Sequence, residues 1–167
     1  MDKPNVFDLV LESLPEKAHH RRAWLGLLRC FSSIDRLLMR RFSEKFNSSL
    51  PRYDVLTALA LSPNGMTMGE LASRLMVTKG NITGVVNRLK QDGLVSKITS
   101  ESDRRIQSVT LSAEGRALWD AMHADYDETI SQILSGQSGE ELDALTEMLE
   151  RTRVAVQKMT RERTECL

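Results

Sequence analysis

The sequence predicts a mainly α-helical fold that contains a single β-hairpin. Apolar residues recur every three or four positions through most of the 167-residue chain, which is the spacing of one helix face. Thr67, Thr78, Ser112 and Ser138 stand at the starts of such periodic segments as N-capping residues. Only two short segments are rich in β-branched residues, and a polar loop joins them. With 41% apolar and 28% charged residues, the chain suits one compact domain over residues 1–167.

The first long helix is expected over about residues 18–48. Its apolar face is formed by Trp24, Leu27, Leu28, Phe31, Ile34, Leu37, Leu38, Phe42 and Phe46. Its other faces carry six arginines, and Asn47-Ser48-Ser49 ends it. Pro51 fits the first turn of a short second helix, which Pro63-Asn64-Gly65 stops.

Two further short helices are expected to be joined by a tight turn. Thr67 and Glu70 form a capping box that opens the first of them. After Met76-Val77, a new N-cap at Thr78 opens the second, which ends at Asp92-Gly93.

A β-hairpin follows these helices directly. Its strands are Leu94–Thr99 and Ile106–Leu111, and its loop is Ser100–Arg105. Helix, turn, helix and then a hairpin with a basic tip is the order of a winged helix-turn-helix, whose second short helix enters the major groove of DNA.

That second short helix has one apolar face and one small, polar face. The polar face carries Gly80, Thr83, Gly84, Asn87, Arg88 and Gln91. Glycine inside a helix costs about 1 kcal/mol relative to alanine, so Gly80 and Gly84 require a reason. Close approach of the backbone to a DNA groove is one reason, and tight packing against a neighbouring helix is the alternative.

The same helix offers groups that suit phosphates and bases. The hydroxyls of Thr78 and Thr83 and the N-terminal amides can bond phosphate oxygens, and Lys79 adds positive charge. Asn87 and Arg88 carry the donors and acceptors that purine edges require, although either side chain could contact a phosphate instead.

The C-terminal part of the chain is expected to be helical over about residues 112–163. Ser112 begins this part, a break follows at Gly136–Gly139, and Ser138 and Glu141 form a second capping box. Apolar residues then recur at steps typical of a coiled coil: Leu142, Leu145, Leu149, Val156 and Met159.

Several of these motifs together closely resemble the MarR family of transcriptional regulators. They are the run from Leu71 to Leu89, Asp92-Gly93-Leu94-Val95, Asp103-Arg104-Arg105, and Leu111-Ser112 with Gly115. The resemblance covers about 45 residues, and the flanking long helices fit the family plan. Lys97 stands where the family often has arginine, and Ser112 where threonine is usual.

The resemblance implies a homodimer joined through the helices at 18–48 and 112–163, with a DNA-binding lobe at about 51–111. Both recognition helices and both wings would bind double-stranded DNA at a pseudo-palindromic operator. Arg104 would enter the minor groove, held by Asp103 beside it. The expected DNA-binding residues are Arg74, Thr78, Lys79, Gly80, Asn81, Thr83, Gly84, Asn87, Arg88, Ser102, Asp103, Arg104 and Arg105.

The formal net charge is zero, but the charge is sorted along the chain. Residues 17–52 hold nine Lys or Arg against two acids, and residues 67–107 hold seven against four. Residues 112–150 hold ten acids against Arg116 alone. One end of the molecule could therefore meet phosphate although the sum is zero.

The sequence does not suggest an enzyme, because it contains no phosphate-binding glycine loop, nucleophile elbow or Cys-x-x-Cys. No cofactor or metal is expected, and Asp120, His123 and Asp127 are interpreted as a solvated helix face rather than metal ligands. With two cysteines, no membrane-spanning stretch and no signal-like opening, the expected compartment is the cytoplasm.

The resemblance also implies a small-molecule effector that releases the DNA. Arginines and aromatic residues occur together in the first helices, which favours an anionic aromatic ligand, with an aromatic acyl-CoA thioester as the sharper version. The residues assigned to this ligand are Arg22, Trp24, Arg29, Phe31, Arg36, Arg52 and Tyr53. The arginines could instead form dimer ion pairs or bind DNA phosphates.

Two other functions remain open at the level of sequence. Cys30 lies where peroxide-sensing members of the family keep a reactive cysteine, but only Tyr53 is expected near it, so a buried and unreactive thiol is favoured. An architectural DNA-binding protein would use the same fold without an effector pocket. Footprinting separates that alternative from a regulator.

Overall fold

The computed structural model describes residues 6–99 and 107–165. The helices are α1 (Val6–Ser13), α2 (His19–Phe46), α3 (Leu50–Ala60), α4 (Met68–Arg74), α5 (Lys79–Gln91), α6 (Ala113–Ile133) and α7 (Gly139–Glu165). The strands are β1 (Met66–Thr67), β2 (Val95–Thr99) and β3 (Gln107–Leu111). The expected mainly α fold with a β-hairpin is confirmed.

The helix ends lie where local sequence signals predict them. Asn47 ends α2 in the left-handed conformation, with φ of 47°. Thr67 and Glu70 form the expected capping box at the start of α4. Hydrogen bonds from the backbone N–H and the hydroxyl of Thr67 hold the pKa of Glu70 below its ordinary value.

Two elements are not predicted by the sequence pattern. Helix α1 is only about two turns long, which is marginal for an isolated helix; it packs against α2, where Arg29 Nε lies 2.7 Å from Asp8 Oδ1. Strand β1 has two residues, too few to show alternation. It forms because the edge of β3 is available for pairing.

The sheet is antiparallel, with β3 between β1 and β2. Met66 in β1 and Lys97 in β2 both pair with Val109, which is buried. The hairpin strands continue to the Thr99 and Gln107 pair. The tip of the predicted wing, including Ser102, Asp103, Arg104 and Arg105, lies outside the described residues.

The chain divides into two compact units, Met1–Ala124 and Asp125–Leu167. The first holds a core shared by α3, α4, α5 and the sheet, whose fully or nearly fully buried residues are Val55, Leu56, Leu59, Leu71, Ile82, Val86, Leu89, Val95 and Val109. In the second, Ser138 and Glu141 form the expected capping box before α7.

Apolar side chains remain exposed on α7, in contrast to the core of the first unit. They are Leu145, Met148, Leu149, Val154, Val156 and Met159. Within the described ranges, no helix combines the length and the apolar character that crossing a membrane requires.

Candidate nucleic-acid interface

The turn between α4 and α5 is closed by backbone hydrogen bonds. The N–H of Val77 donates to the carbonyl of Ala72 at 3.0 Å, and Met76 takes a left-handed φ of 54°. This geometry is that of a helix C-terminus closed by one left-handed residue. Thr78 then caps α5, because its hydroxyl accepts a bond from the N–H of Asn81 at 3.4 Å.

Helix α5 turns one face inward and the other outward. Ile82, Val86 and Leu89 are at most 3% exposed and hold the helix in the core. The outward face is exposed along its length and carries the residues predicted to meet DNA: Lys79, Gly80, Thr83, Gly84, Asn87 and Arg88. The apolar anchor on one side therefore presents the polar side to solvent, as recognition by a major-groove helix requires.

The two glycines of α5 are not required by packing. A Cβ built on Gly84 would meet nothing within 4 Å, and one on Gly80 would meet only the Thr78 hydroxyl, at 3.9 Å. The alternative of tight packing against a neighbouring helix is therefore excluded among the described residues. Close approach of the backbone to a DNA groove stays the predicted reason.

We expect Gly84→Ala to stabilise the fold while weakening DNA binding. Alanine favours the helix by about 0.5–1 kcal/mol over glycine, and the added methyl group meets open space. The same methyl group would stand between the α5 backbone and a groove wall. Thermal unfolding and fluorescence anisotropy with labelled operator DNA measure the two effects. Unchanged operator affinity would show that the α5 backbone does not approach DNA closely.

The two threonines predicted to bind phosphate differ in what they can offer. The Thr78 hydroxyl accepts from Asn81, so its own hydrogen is available for a phosphate oxygen. The Thr83 hydroxyl donates its hydrogen to the carbonyl of Lys79 at 2.7 Å. In this rotamer Thr83 can accept but cannot donate, so a bond to phosphate requires rotation of the side chain.

Arg74 lies at the end of α4, a few residues before α5 in the sequence. Its side chain contacts Ser62, in the segment after α3. Its Nη1 donates to the Ser62 hydroxyl at 3.3 Å, across the segment before β1. Arg74 remains exposed and available to a phosphate. Asn81 is also exposed and lies at the first turn of α5.

The residues predicted to bind an effector do not form one pocket within a protomer. Trp24 and Phe31 are 57% and 66% exposed on α2. Tyr53 is 6% exposed and packs on Phe42, with ring centroids 5.1 Å apart. At about 1.5 Å per residue, Trp24 lies about 27 Å along α2 from Phe42. Within one protomer these residues therefore do not form a single cluster, and their assignment to an effector stays a prediction.

The arginines of that set also separate. Arg29 pairs with Asp8 of α1, and Arg36 lines a shallow cavity with Phe31. Arg52 pairs with Asp92 at the end of α5. Arg22 is exposed and reaches the carbonyl of Leu14 at 3.5 Å.

Tyr53 belongs to a network between α3 and α6 that the sequence did not predict. Its hydroxyl bonds with Nδ1 of His123 at 2.8 Å, and the His123 ring stacks on Trp119 at 4.8 Å. Trp119 Nε1 donates to the Thr57 hydroxyl at 3.0 Å. No spacing motif joins these residues, because they meet only after α6 packs on α3.

His123 is thus half-buried against aromatic neighbours, which departs from the predicted solvated position, whereas Asp120 and Asp127 are exposed as predicted. Among the described residues, no three His, Cys, Asp or Glu side chains converge as a metal site would require. Cys30 is exposed rather than buried. Tyr53, the tyrosine predicted near Cys30, bonds through its hydroxyl with His123.

A cavity of about 370 Å³ lies between α3 and α5. Its walls include Leu75, Ile82 and Val85, and its charged group is Asp54. Partial desolvation, together with the nearby Asp35 carboxylate, raises the pKa of Asp54. Among the described residues of the lining, no cation stands beside this carboxylate, whereas the Phe31 cavity has Arg36 next to Asp35, so the α3–α5 cavity does not suit the predicted anionic effector.

These features define a winged helix-turn-helix protein with an exposed recognition helix. A sequence model described as the MarR family matches residues 48–106. HTH-type transcriptional regulator PecS of Dickeya dadantii is 32% identical over 120 residues, which cover 71% of this chain and 72% of that protein. The chain belongs to the MarR family and is a transcriptional regulator.

Two other relatives have names that specify the direction in which they regulate transcription. The homoprotocatechuate degradative operon repressor of Escherichia coli is 29% identical over 66% of this chain and 74% of its own length. The transcriptional activatory protein BadR of Rhodopseudomonas palustris is 42% identical over 35% of this chain. This match spans 34% of BadR, about a third of its length.

Solved structures share the fold. Streptococcus pneumoniae FabT in complex with DNA has a TM-score of 0.74 and 20% identity, covering 84% of this chain and 99% of that one. CouR from Rhodococcus jostii RHA1 bound to p-coumaroyl-CoA has a TM-score of 0.70 and 21% identity, covering 81% and 94%.

Proposed function

We propose that this protein represses transcription by binding a pseudo-palindromic DNA operator as a homodimer. The observation that carries the proposal is the outward face of α5. Its two glycines have open space around them, and exposed polar side chains flank them. Such a face has no role in the core, but it suits close contact with a DNA groove.

The homodimer is proposed from apolar side chains that remain exposed on the long helices. On α2 they are Trp24, Leu27, Phe31 and Met39, and on α7 they include Leu145, Met148, Val156 and Met159. Exposed apolar faces of this extent favour association in water. Two-fold symmetry of the protein would then be matched by two half-sites in the operator.

Footprinting on genomic DNA fragments tests this function. A single protected site with two symmetric half-sites about one helical turn apart is the expected result. Uniform protection along every fragment would favour the architectural role instead. Absence of protection at low salt would contradict DNA binding altogether, because low salt favours phosphate contacts.

We further propose that an anionic aromatic compound releases the operator, with an aromatic acyl-CoA thioester as the specific version. Arg36 and the exposed ring of Phe31 line one cavity beside α2, and Arg22, Arg29 and the exposed ring of Trp24 lie on the same helix. Guanidinium groups bind carboxylates and phosphates, while the rings offer apolar contact area. Relatives whose names or ligands concern homoprotocatechuate and p-coumaroyl-CoA support this class of compound.

Titration of the protein–operator complex tests the effector proposal. We expect benzoate- and cinnamate-type acids, or their CoA thioesters, to release labelled operator, because the ligand favours a protein state with lower DNA affinity. Arg36→Gln should raise the ligand concentration needed for release. Lys17→Gln, an exposed residue outside the helices with the same charge change, should not.

The contrary result is also specific. If calorimetry detects no binding of either set of compounds and the operator stays occupied, the effector proposal is wrong. Release by peroxide that is lost in Cys30→Ser would establish the thiol-based alternative in its place.

A further inference from the structure

The C-terminal end of α5 carries a charge that the helix alone disfavours. Asp92 is the C-cap residue, and its backbone N–H bonds back to the carbonyls of Arg88 and Lys90. The C-terminus of a helix bears partial negative charge, so a carboxylate at this position is repelled unless a cation compensates. Arg88 and Lys90 in the last turn of α5 offset part of this charge, and a further cation comes from outside the helix.

Arg52 of α3 provides that cation. Its Nη2 lies 2.7 Å from Oδ2 of Asp92, and the Arg52 side chain is only 20% exposed. The Nε of Arg52 is buried without a hydrogen-bond partner. The Arg52 guanidinium is therefore largely removed from water. Its ion pair with Asp92 restricts the Arg52 side chain more than a pair on the open surface would.

The residues after Asp92 connect the same point to the wing and to α6. Gly93 takes a left-handed φ of 73°, and its carbonyl accepts a bond from the Ser112 hydroxyl at 2.7 Å. The Leu94 N–H donates to the carbonyl of Leu89 at 2.9 Å. The three residues 92–94 thus connect the end of α5 to the start of β2 and, through the Ser112 hydroxyl, to the start of α6.

We propose that Arg52 is a positioning residue for DNA recognition: its ion pair with Asp92 holds the C-terminal end of α5 against α3 and sets the angle at which α5 enters the major groove. This inference rests on the proposed function of α5 as the recognition helix. Arg52 acts through Asp92 and not through contact with DNA. The ion pair with Asp92 also explains why Arg52, which the sequence analysis assigns to an effector, does not lie with the arginines of α2.

Two single substitutions with opposite charge changes test the inference. Arg52→Gln removes a positive charge, and Asp92→Asn removes a negative one. If only long-range attraction to phosphate mattered, the first would weaken DNA binding and the second would strengthen it. Loss of positioning weakens operator binding in both, by about 3- to 30-fold. Anisotropy at one fixed salt concentration, with operator and with unrelated DNA, measures the change.

The control variants carry the same charge changes elsewhere. Lys17 and Glu16 are neighbouring exposed residues between α1 and α2. Lys17→Gln and Glu16→Gln should therefore reproduce the general charge effect without disturbing α5. The specificity ratio between operator and unrelated DNA should fall in Arg52→Gln and Asp92→Asn and stay constant in both controls.

A charge exchange separates positioning from simple loss of stability. Arg52→Asp with Asp92→Arg restores an ion pair, and we expect its specificity ratio to exceed that of either single charge reversal. Thermal unfolding of each variant identifies any that fails to fold. If Arg52→Gln fails to fold, Asp92→Asn still tests the inference, because the Asp92 side chain is about half exposed.

Three outcomes overturn the inference in different ways. If Asp92→Asn strengthens operator binding by as much as Glu16→Gln does, the ion pair acts only through its effect on the overall charge. An unchanged specificity ratio in both single variants would remove any positioning role. Failure of the unmodified protein to bind operator DNA would overturn the proposed function, and this inference with it.

Discussion

Replacing Gly115 with alanine is expected to destabilise the protein by about 3 kcal/mol or more, because the new methyl group has no space. A Cβ at this position would overlap the carbonyl oxygen of Leu94 and lie 2.9 Å from its carbonyl carbon. These are backbone atoms, and the Leu94 carbonyl also accepts a bond from the Ser112 N–H at 3.1 Å. Relief of the clash would require α6 to move away from the start of β2.

Chemical denaturation followed by circular dichroism measures this effect. Gly84→Ala is the matched control, since it makes the same chemical change in the same compact unit at a site with open space. The control should unfold at a slightly higher denaturant concentration than the unmodified protein, and Gly115→Ala at a much lower one. Equal midpoints for the two variants would contradict the close approach of α6 to β2.

Replacing Arg104 with alanine is expected to weaken operator binding by about 1–3 kcal/mol, which is about thirtyfold at the centre of that range. The prediction comes from the Asp103-Arg104-Arg105 motif, which lies outside the described residues. In sequence the motif lies between Thr99 and Gln107, the last residue pair of strands β2 and β3. A guanidinium suits the negative potential of a narrow minor groove.

Lys79→Ala is the comparison for this variant. Loss of one phosphate contact should weaken binding modestly on all sequences and lower the salt slope by about one. Arg104→Ala should instead lose more affinity for the operator than for unrelated DNA. Operator binding by Arg104→Ala that equals the unmodified protein in the same buffer would show that the wing does not read the groove.

The class of regulator can be predicted from the sequence, because the signals that indicate it are local. The N-caps at Thr67 and Thr78 and the left-handed end at Asn47 each depend on a few neighbouring residues, and the structure confirms them. The polar face of α5 follows from helical periodicity in the same way. Zero net charge was a poor guide, since charge sorted along the chain leaves basic segments intact.

The candidate sites were harder to predict from the sequence than the fold. The residues assigned to the effector show the reason. Arginines and aromatics that are close in sequence were expected to share a pocket, yet a helix of 28 residues carries its ends far apart. Trp24 and Tyr53 therefore belong to different parts of the protomer. Periodicity shows which face of a helix a side chain occupies, but it does not show what that face meets.

By itself, the sequence determined the boundaries of the helices other than α1, the order helix–turn–helix–hairpin and the exposed polar face of α5. Only the tertiary structure decided that Arg52 meets Asp92, that Tyr53 bonds with His123 across 70 positions, and that Gly115 lies against the Leu94 carbonyl. Caps and periodicity act within one or two helical turns, so they are encoded in neighbouring residues. Contacts between elements depend on how the apolar faces pack together, and that packing is a property of the whole core.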